Sequence, residues 1–395
     1  VSREGEQGRG APITAGDASR EGGTVGSKTR IYSCDDHLDM PAVPRDLWQS
    51  RLPSALAARG LRVEVREGTP LWICEDRVLA RSGSSGNTEV LKKLSAIVRA
   101  GIEDDGFRSG NPKLRLEDMD RDDLWASVIY GPLAIGLPIR DPELQRACYA
   151  AWNDWAIEEF NAVAPDRLCV LGFLPSSSPQ AAAAELERCA EIGHRGAIID
   201  VFEIDLLDRS WDRLWAAAEE TALPISFHLK AGTWTPGLRY QRGRWPSAAF
   251  ASVLPLQLDE PLALMMFSGA LERHPGLTVV MAEIGIGWLP YFITRMDHEW
   301  EALRGQLDYA TESRPSELFR RQVMATFEEE PLGARLIPLL GADSCMWASD
   351  YPHTDSTFPN SHEAIEEALG SLCEEDRLKV TATNCAKLYG FAPAG

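Results

Sequence analysis

Ile31-Tyr32-Ser33-Cys34-Asp35-Asp36-His37-Leu38-Asp39-Met40-Pro41 is the stretch on which the reading of the whole chain turns. Ile31 to Cys34 is an apolar run of strand length, and residues two apart in an extended chain project to one side, so Asp35 and His37 point together. Such a pair at a strand end is a two-ligand clamp for a metal ion. The same residue types also serve as ordinary turn and cap residues, so the choice depends on whether other ligands follow in matching places.

Downstream of residue 124 the chain alternates between short apolar runs and longer amphipathic stretches. The strand candidates are Ala126 to Tyr130, Leu168 to Phe173, Gly196 to Asp200, Pro224 to His228, Thr278 to Glu283, Gln322 to Thr326 and Cys345 to Ser349. Helical patterns separate them, among them Asp141 to Ala164, Pro179 to Ile192, Trp288 to Leu303 and Leu332 to Leu340, and Glu374 to Tyr389 closes the ring. With the first strand there are eight βα units, which predicts an α/β fold of the (β/α)8 TIM barrel type, with chemistry at the C-terminal ends of the strands.

Upstream of that repeat, Asp46 to Arg59 reads as a helix, and Leu61 to Val65 and Pro70 to Cys74 as an inserted β-hairpin after strand 1. Residues 61–120 are expected to be an excursion from the barrel, of the kind that covers a pocket. Residues 1–28 are rich in Gly, Ser, Arg and Glu without a hydrophobic period and are expected to be a disordered leader to one domain over 29–395.

Lys and Arg total 40 against 59 Asp and Glu, a formal charge of -19, which argues against nucleic-acid or anionic-membrane partners. The run from Trp125 to Ile139 is interrupted by Gly131, Pro132, Gly136 and Pro138, so it does not read as a membrane span. The first residues lack the apolar core of a signal peptide, and eight scattered cysteines without a CxxC pair suit free thiols, so a cytoplasmic location is expected.

On the barrel frame Asp35 and His37 end strand 1, His228 ends strand 5, Glu283 ends strand 6 and Asp350 follows strand 8. Singly, each is as well explained as a cap or a satisfied core residue. Jointly, ligand-type residues at one mouth predict a metal site of Asp35, His37, His228, Glu283 and Asp350. His194 and His274 precede strands and fall at the opposite face. His353, three residues beyond Asp350, is a candidate partner of the bound carboxylate or a proton relay, and with Glu283 it is the catalytic candidate.

These segments, together with Glu283-Ile284-Gly285-Ile286-Gly287-Trp288-Leu289-Pro290, Ser349-Asp350-Tyr351-Pro352-His353 and Asn384-Cys385-Ala386-Lys387-Leu388-Tyr389, resemble the amidohydrolase-related TIM-barrel metalloenzymes from about residue 30 to the C-terminus. The resemblance implies metal-dependent hydrolases or nonoxidative decarboxylases, and by position it implies Asp35, His37, His228 and Asp350 as ligands. The chain departs from that family where many relatives carry His-x-His on strand 1 and a histidine on strand 6, and strand 4 lacks a bridging lysine. Two imidazoles and three carboxylates suit iron or manganese. That inventory is similar to the nonheme diiron monooxygenases of the same barrel family, diterpenoid hydroxylases of antibiotic biosynthesis among them. It implies two iron ions, with zinc or manganese as the alternative, and dioxygen and an electron donor as partners. The substrate implied is a bulky hydrophobic acid, CoA-linked in that branch, and a homodimer is left open. A hydrolase or nonoxidative decarboxylase of a carboxylate is the alternative function.

The segment from Lys230 to Trp245 is basic and aromatic within an acidic chain. Arg239, Arg242 and Arg244 read either as a solvated lid or as a phosphate clamp for a CoA-type handle.

Overall fold

A (β/α)8 barrel needs parallel strands buried on both faces, and the first strand meets that demand: β1 (Ile31–His37) is buried at every residue. The computed structural model describes residues 30–83, 95–132, 139–230, 247–305 and 311–393. After β1 come β2 (Arg62–Arg66), β3 (Thr69–Cys74) and β4 (Arg77–Arg81), then β5 (Leu124–Tyr130), β6 (Leu168–Val170), β7 (Gly172–Leu174), β8 (Ala197–Ile199), β9 (Ile225–His228), β10 (Val279–Ala282), β11 (Val323–Phe327) and β12 (Cys345–Trp347).

The barrel wall runs β1-β5-β6 and then β7-β8-β9-β10-β11-β12, parallel throughout. β6 and β7 are two halves of one wall position, parted at Leu171, whose N–H still reaches Ile129 O at 3.0 Å. The seam between β12 and β1 is closed by the chain just beyond β12. Ser349 N–H donates to Ser33 Oγ at 2.8 Å, Asp350 N–H to Asp35 O at 3.0 Å, and His37 N–H to Tyr351 O at 2.7 Å. The eight-strand expectation therefore holds.

Helix starts follow their local chemistry. Asp141 and Ser178 each precede a proline at the first helical position, and each side chain accepts N–H groups of the first turn, in Pro142–Trp155 and Pro179–Ile192. Gly193 ends the second of these with φ +101°, where a side chain would be strained.

Two upstream expectations are corrected. Asp46 to Arg59 is not one helix but two short ones, Leu47–Arg51 and Ser54–Ala57, because Pro53 between them has no N–H to give the first. The inserted hairpin is a three-stranded antiparallel meander, β2-β3-β4. Its third strand has arginines at both ends and is largely exposed, so no core-facing alternation marks it. The meander is anchored by Trp72, buried edge-on against Trp48 with ring centroids 5.3 Å apart, and Trp48 also donates to Cys148 O at 2.9 Å. Among the described residues no helix is long and apolar enough to cross a membrane. Residues 1–28, expected as a leader, lie outside the described residues.

Candidate metal centre

Parallel pairing places the C-terminal ends of β1, β9, β10 and β12 at one mouth of the barrel, and there the side chains of Asp35, His37, His228, Glu283 and Asp350 lie. His37 Nε2 lies 3.6 Å from Asp35 Oδ1, 3.4 Å from Glu283 Oε2 and 3.1 Å from Asp350 Oδ1. His228 Nε2 lies 3.4 Å from Asp35 Oδ1 and 3.2 Å from Glu283 Oε2. Four of these atoms, Asp35 Oδ1, His37 Nε2, His228 Nε2 and Asp350 Oδ1, are buried with no geometrically formed hydrogen bond, although Asp350 Oδ1 also stands 2.9 Å from His353 Nδ1. Buried polar atoms left unpaired are costly, and here the candidate donors form two sets that share His37: Asp35, His37 and His228, and His37, Glu283, Asp350 and His353.

This arrangement fits a divalent cation. Donors about 2.1 Å from one ion stand roughly 3.0 to 3.4 Å apart at octahedral or tetrahedral angles, close to the separations found. The imidazoles present the right atoms: His228 Nδ1 faces Leu229 O at 2.7 Å, and a proton there leaves the Nε2 lone pair turned into the centre. Burial opposes charge on His37 and so does nearby His353, yet the carboxylates of Asp350 and Glu283 push its pKa up to about 10. The carboxylate ring calls for positive charge at its centre, and a metal ion would supply it in place of a proton.

Supporting contacts fix each donor. Thr326 Oγ1 donates to Asp35 Oδ2 at 2.8 Å, which leaves Oδ1 free, and the same hydroxyl accepts Glu283 N–H at 2.7 Å. Glu283 and Asp350 both leave their strands in the left-handed region, at φ +56° and +55°, a conformation that costs energy and concentrates at functional sites. Beyond Glu283 the loop is held by Glu330, whose carboxylate accepts Ile286 N–H at 2.6 Å and Gly287 N–H at 2.8 Å. A Cβ on Gly287 would stand 2.4 Å from Glu330 Oε1, so the glycines of this turn make room for that carboxylate.

His353 stacks on His37 with ring centroids 4.0 Å apart. Its Nδ1 is 3.0 Å from Asp350 Oδ2 and its Nε2 is 3.1 Å from the half-exposed Asp39. The imidazole thus links a buried carboxylate of the centre to one at the surface. Two acidic neighbours, Glu328 and Asp355, stand beside Asp350 but add no imidazole. Burial and the adjoining carboxylates raise Glu328 well above the ordinary range.

Several residues of the site were not anticipated. Asp36 points away from the centre and accepts hydroxyls from Ser33 at 2.7 Å, Ser349 at 2.6 Å and Ser127, tying β1 to β5 and to the turn after β12. Alternation along β1 was the signal for its opposite direction. Arg115, fully buried on helix Pro112–Arg121, donates to His37 O and, at 3.0 Å, to Ser109 O, and lies over the Tyr351 ring. No local pattern marks that long-range contact. His194 is buried away from the centre, its ring nitrogens facing Val170 O and Asn153 O. Arg239, Arg242 and Arg244 lie outside the described residues.

Two imidazoles and three carboxylates at the C-terminal mouth of a (β/α)8 barrel give the class: a barrel whose strand ends carry groups that could hold a metal ion. The chain belongs to the amidohydrolase family, whose model, described as Amidohydrolase, matches residues 129–391. A gamma-resorcylate decarboxylase of Rhodococcus jostii is 29% identical over 303 residues, covering 70% of this chain and 86% of the relative. Among solved structures, an amidohydrolase from Mycobacterium avium subsp. paratuberculosis superposes with a TM-score of 0.72 at 20% identity, covering 92% of this chain and 100% of that one. A dihydroxybenzoic acid decarboxylase from Polaromonas, with bound manganese and the inhibitor 2-nitroresorcinol, gives 0.61 at 17% identity, covering 92% and 97%.

These relatives overturn the expectation of a nonheme diiron monooxygenase. The sequence relatives are named as gamma-resorcylate decarboxylases, and loss of CO2 as such calls for neither dioxygen nor an electron donor. Oxidoreductase chemistry, a pair of irons, a CoA-linked substrate and a place in antibiotic biosynthesis fall with it. The expectation rested on the inventory of two imidazoles and three carboxylates, Glu283 among them, which does not distinguish the two chemistries. Glu283 Oε2 stands 3.4 Å from His37 and 3.2 Å from His228.

Proposed function

We propose that this chain is a metal-dependent, nonoxidative decarboxylase of an aromatic carboxylate. The observation that carries the reading is the set of four buried ligand atoms without a formed hydrogen bond, on Asp35, His37, His228 and Asp350, in a chain whose relatives are named as gamma-resorcylate decarboxylases. A divalent ion held there, manganese or zinc, supplies the positive charge that fixes substrate oxygens and stabilises negative charge developing on the ring.

Glu283 is the least buried member of the set, with its side chain 17% exposed while the other four are at 2% or below. It is therefore the group best placed to face the substrate and to carry a proton. In the reaction the bond from ring carbon to carboxylate breaks, its electron pair stays on the carbon, a proton from Glu283 forms the new C–H bond, and CO2 leaves. No electron acceptor is needed. His353 holds Asp350 from behind and offers a path for protons towards Asp39.

The test is direct. The protein loaded with manganese is incubated with 2,6-dihydroxybenzoate and related hydroxybenzoates in D2O, and CO2 release and ring deuteration are followed. Equal amounts of CO2 and ring deuterium are expected. Absence of both with every member of the panel would sink the reading.

A further inference from the structure

Beyond β9 the chain is held by a glutamine from a later turn. Gln257, 3% exposed in the tight turn Leu254–Leu258, accepts Lys230 N–H at 2.9 Å through Oε1 and donates to Lys230 O at 3.2 Å through Nε2. The Lys230 N–H and the Leu229 carbonyl are the two ends of one peptide group, and in a planar trans peptide they point to opposite sides. On the far side from Gln257, that carbonyl stands 2.7 Å from His228 Nδ1. A carbonyl only accepts, so in the neutral imidazole the proton lies on Nδ1 and the lone pair on Nε2. The Lys230 side chain is held as well, by an ion pair to Asp200, whose other oxygen accepts Phe202 N–H at 3.2 Å.

Gln257 thus stands at the end of a hydrogen-bonded line that starts at His228 Nδ1 and passes through the Leu229–Lys230 peptide. Donation of the N–H to Gln257 polarises the peptide and makes its carbonyl a better acceptor, and an imidazole held by a stronger acceptor at Nδ1 is a more basic ligand at Nε2. The same bonds keep the peptide from turning, and a turned peptide would take the carbonyl away from Nδ1. We propose that Gln257 is a positioning residue for the metal centre: by holding the Leu229–Lys230 peptide it fixes the carbonyl that takes the Nδ1 proton of His228, and so keeps the Nε2 lone pair turned to the ion. The inference rests on the metal site of the proposed function and not on the reaction carried out there.

Gln257→Leu removes both bonds at nearly constant volume, and Gln257→Glu keeps an acceptor for Lys230 N–H. Gln322→Leu is the control, because Gln322 is as deeply buried but donates to His274 O at 2.8 Å and Leu277 O at 3.1 Å, ahead of β10 at the opposite face of the barrel. Each protein is labelled in its histidines and loaded with zinc. Zinc affinity is measured by competition with a fluorescent chelator, and exchange of the His228 Nδ1 proton with water by NMR, the signal being assigned by its absence in His228→Gln. Gln257→Leu is expected to bind zinc about 10- to 100-fold more weakly and to exchange that proton about tenfold faster. Gln257→Glu is expected to fall nearer the parent in both, and Gln322→Leu to stay within about twofold of the parent even where it melts lower. Equal changes in the two leucine variants, or none in Gln257→Leu, would overturn the assignment. So would a zinc-loaded parent whose His228 carries no slowly exchanging proton on Nδ1, a reading that needs no variant to fold. A parent that binds neither zinc nor manganese ends this assignment together with the proposed function. Zinc binding indifferent to Gln257→Leu ends this assignment alone, and zinc binding that depends on Gln257 without CO2 release supports it while counting against the decarboxylase.

Discussion

Thr326 and Asp35, 291 positions apart in the chain, are joined by a buried 2.8 Å hydrogen bond from Oγ1 to Oδ2 that decides which carboxylate oxygen faces the metal centre. The hydroxyl also holds Glu283 N–H, so one side chain orients two members of the set. Thr326→Val keeps the shape and removes both bonds. It is expected to weaken metal binding by about 10- to 100-fold, in line with losses at partners of metal ligands, while Thr326→Ser retains most of the affinity. Competition with a fluorescent chelator measures this.

Removing ligands removes the metal. His37→Ala and Asp350→Ala are expected to abolish tight binding of manganese or zinc, read by elemental analysis after dialysis, with the barrel still folded by circular dichroism. Binding to the folded state alone stabilises by about 2.7 kcal/mol at a hundredfold excess over Kd. The parent should therefore melt higher with metal than after chelation, and the two variants should show no such difference.

Glu283→Gln separates holding the metal from moving a proton. If Glu283 delivers the proton to the ring carbon, the variant keeps its metal and loses turnover by roughly 10²- to 10⁴-fold, the usual worth of a positioned acid. Loss of metal together with activity would make Glu283 a ligand only.

Stability should fall on the acid side through His194. Burial pulls this imidazole down to about 4, against about 6.5 in an unfolded chain. Between those values the unfolded chain takes up a proton that the folded protein refuses, so stability is present above the unfolded pKa and is lost as pH falls towards the folded one. The loss amounts to about 1.5 kcal/mol between about pH 6.5 and 5. Melting temperatures across that range should drop more steeply for the parent than for His194→Gln, in which this group no longer titrates.

The wall of the barrel was legible because each parallel strand is a short apolar run and amphipathic stretches of helical period separate them. Pro179 to Ile192, expected from its amphipathic pattern, has those bounds in the structure, where Ser178 caps its start and Gly193 ends it. The centre was legible because its donors end strands, and a strand end fixes direction. The residues that orient those donors were not: Thr326 looks like any β-branched strand residue, and Arg115 like a surface charge on a helix of mixed charge. Their roles arise from contacts across long stretches of chain, which local periodicity does not encode. The third strand of the meander escaped for the opposite reason, being too exposed to show a buried face.

Arg115 gives the excursion a meaning beyond cover. Its guanidinium reaches under β1 to the carbonyl of His37, and Tyr351, beside Asp350, hands its hydroxyl to Asp118 on the same helix at 2.6 Å. The segment between the first two barrel strands is thus a keystone: shortening it by engineering, or grafting it from a relative with a different helix, would leave two turns of the candidate centre without their abutment. Variation in this family of barrels should therefore be freer in the meander than in the helix that follows it.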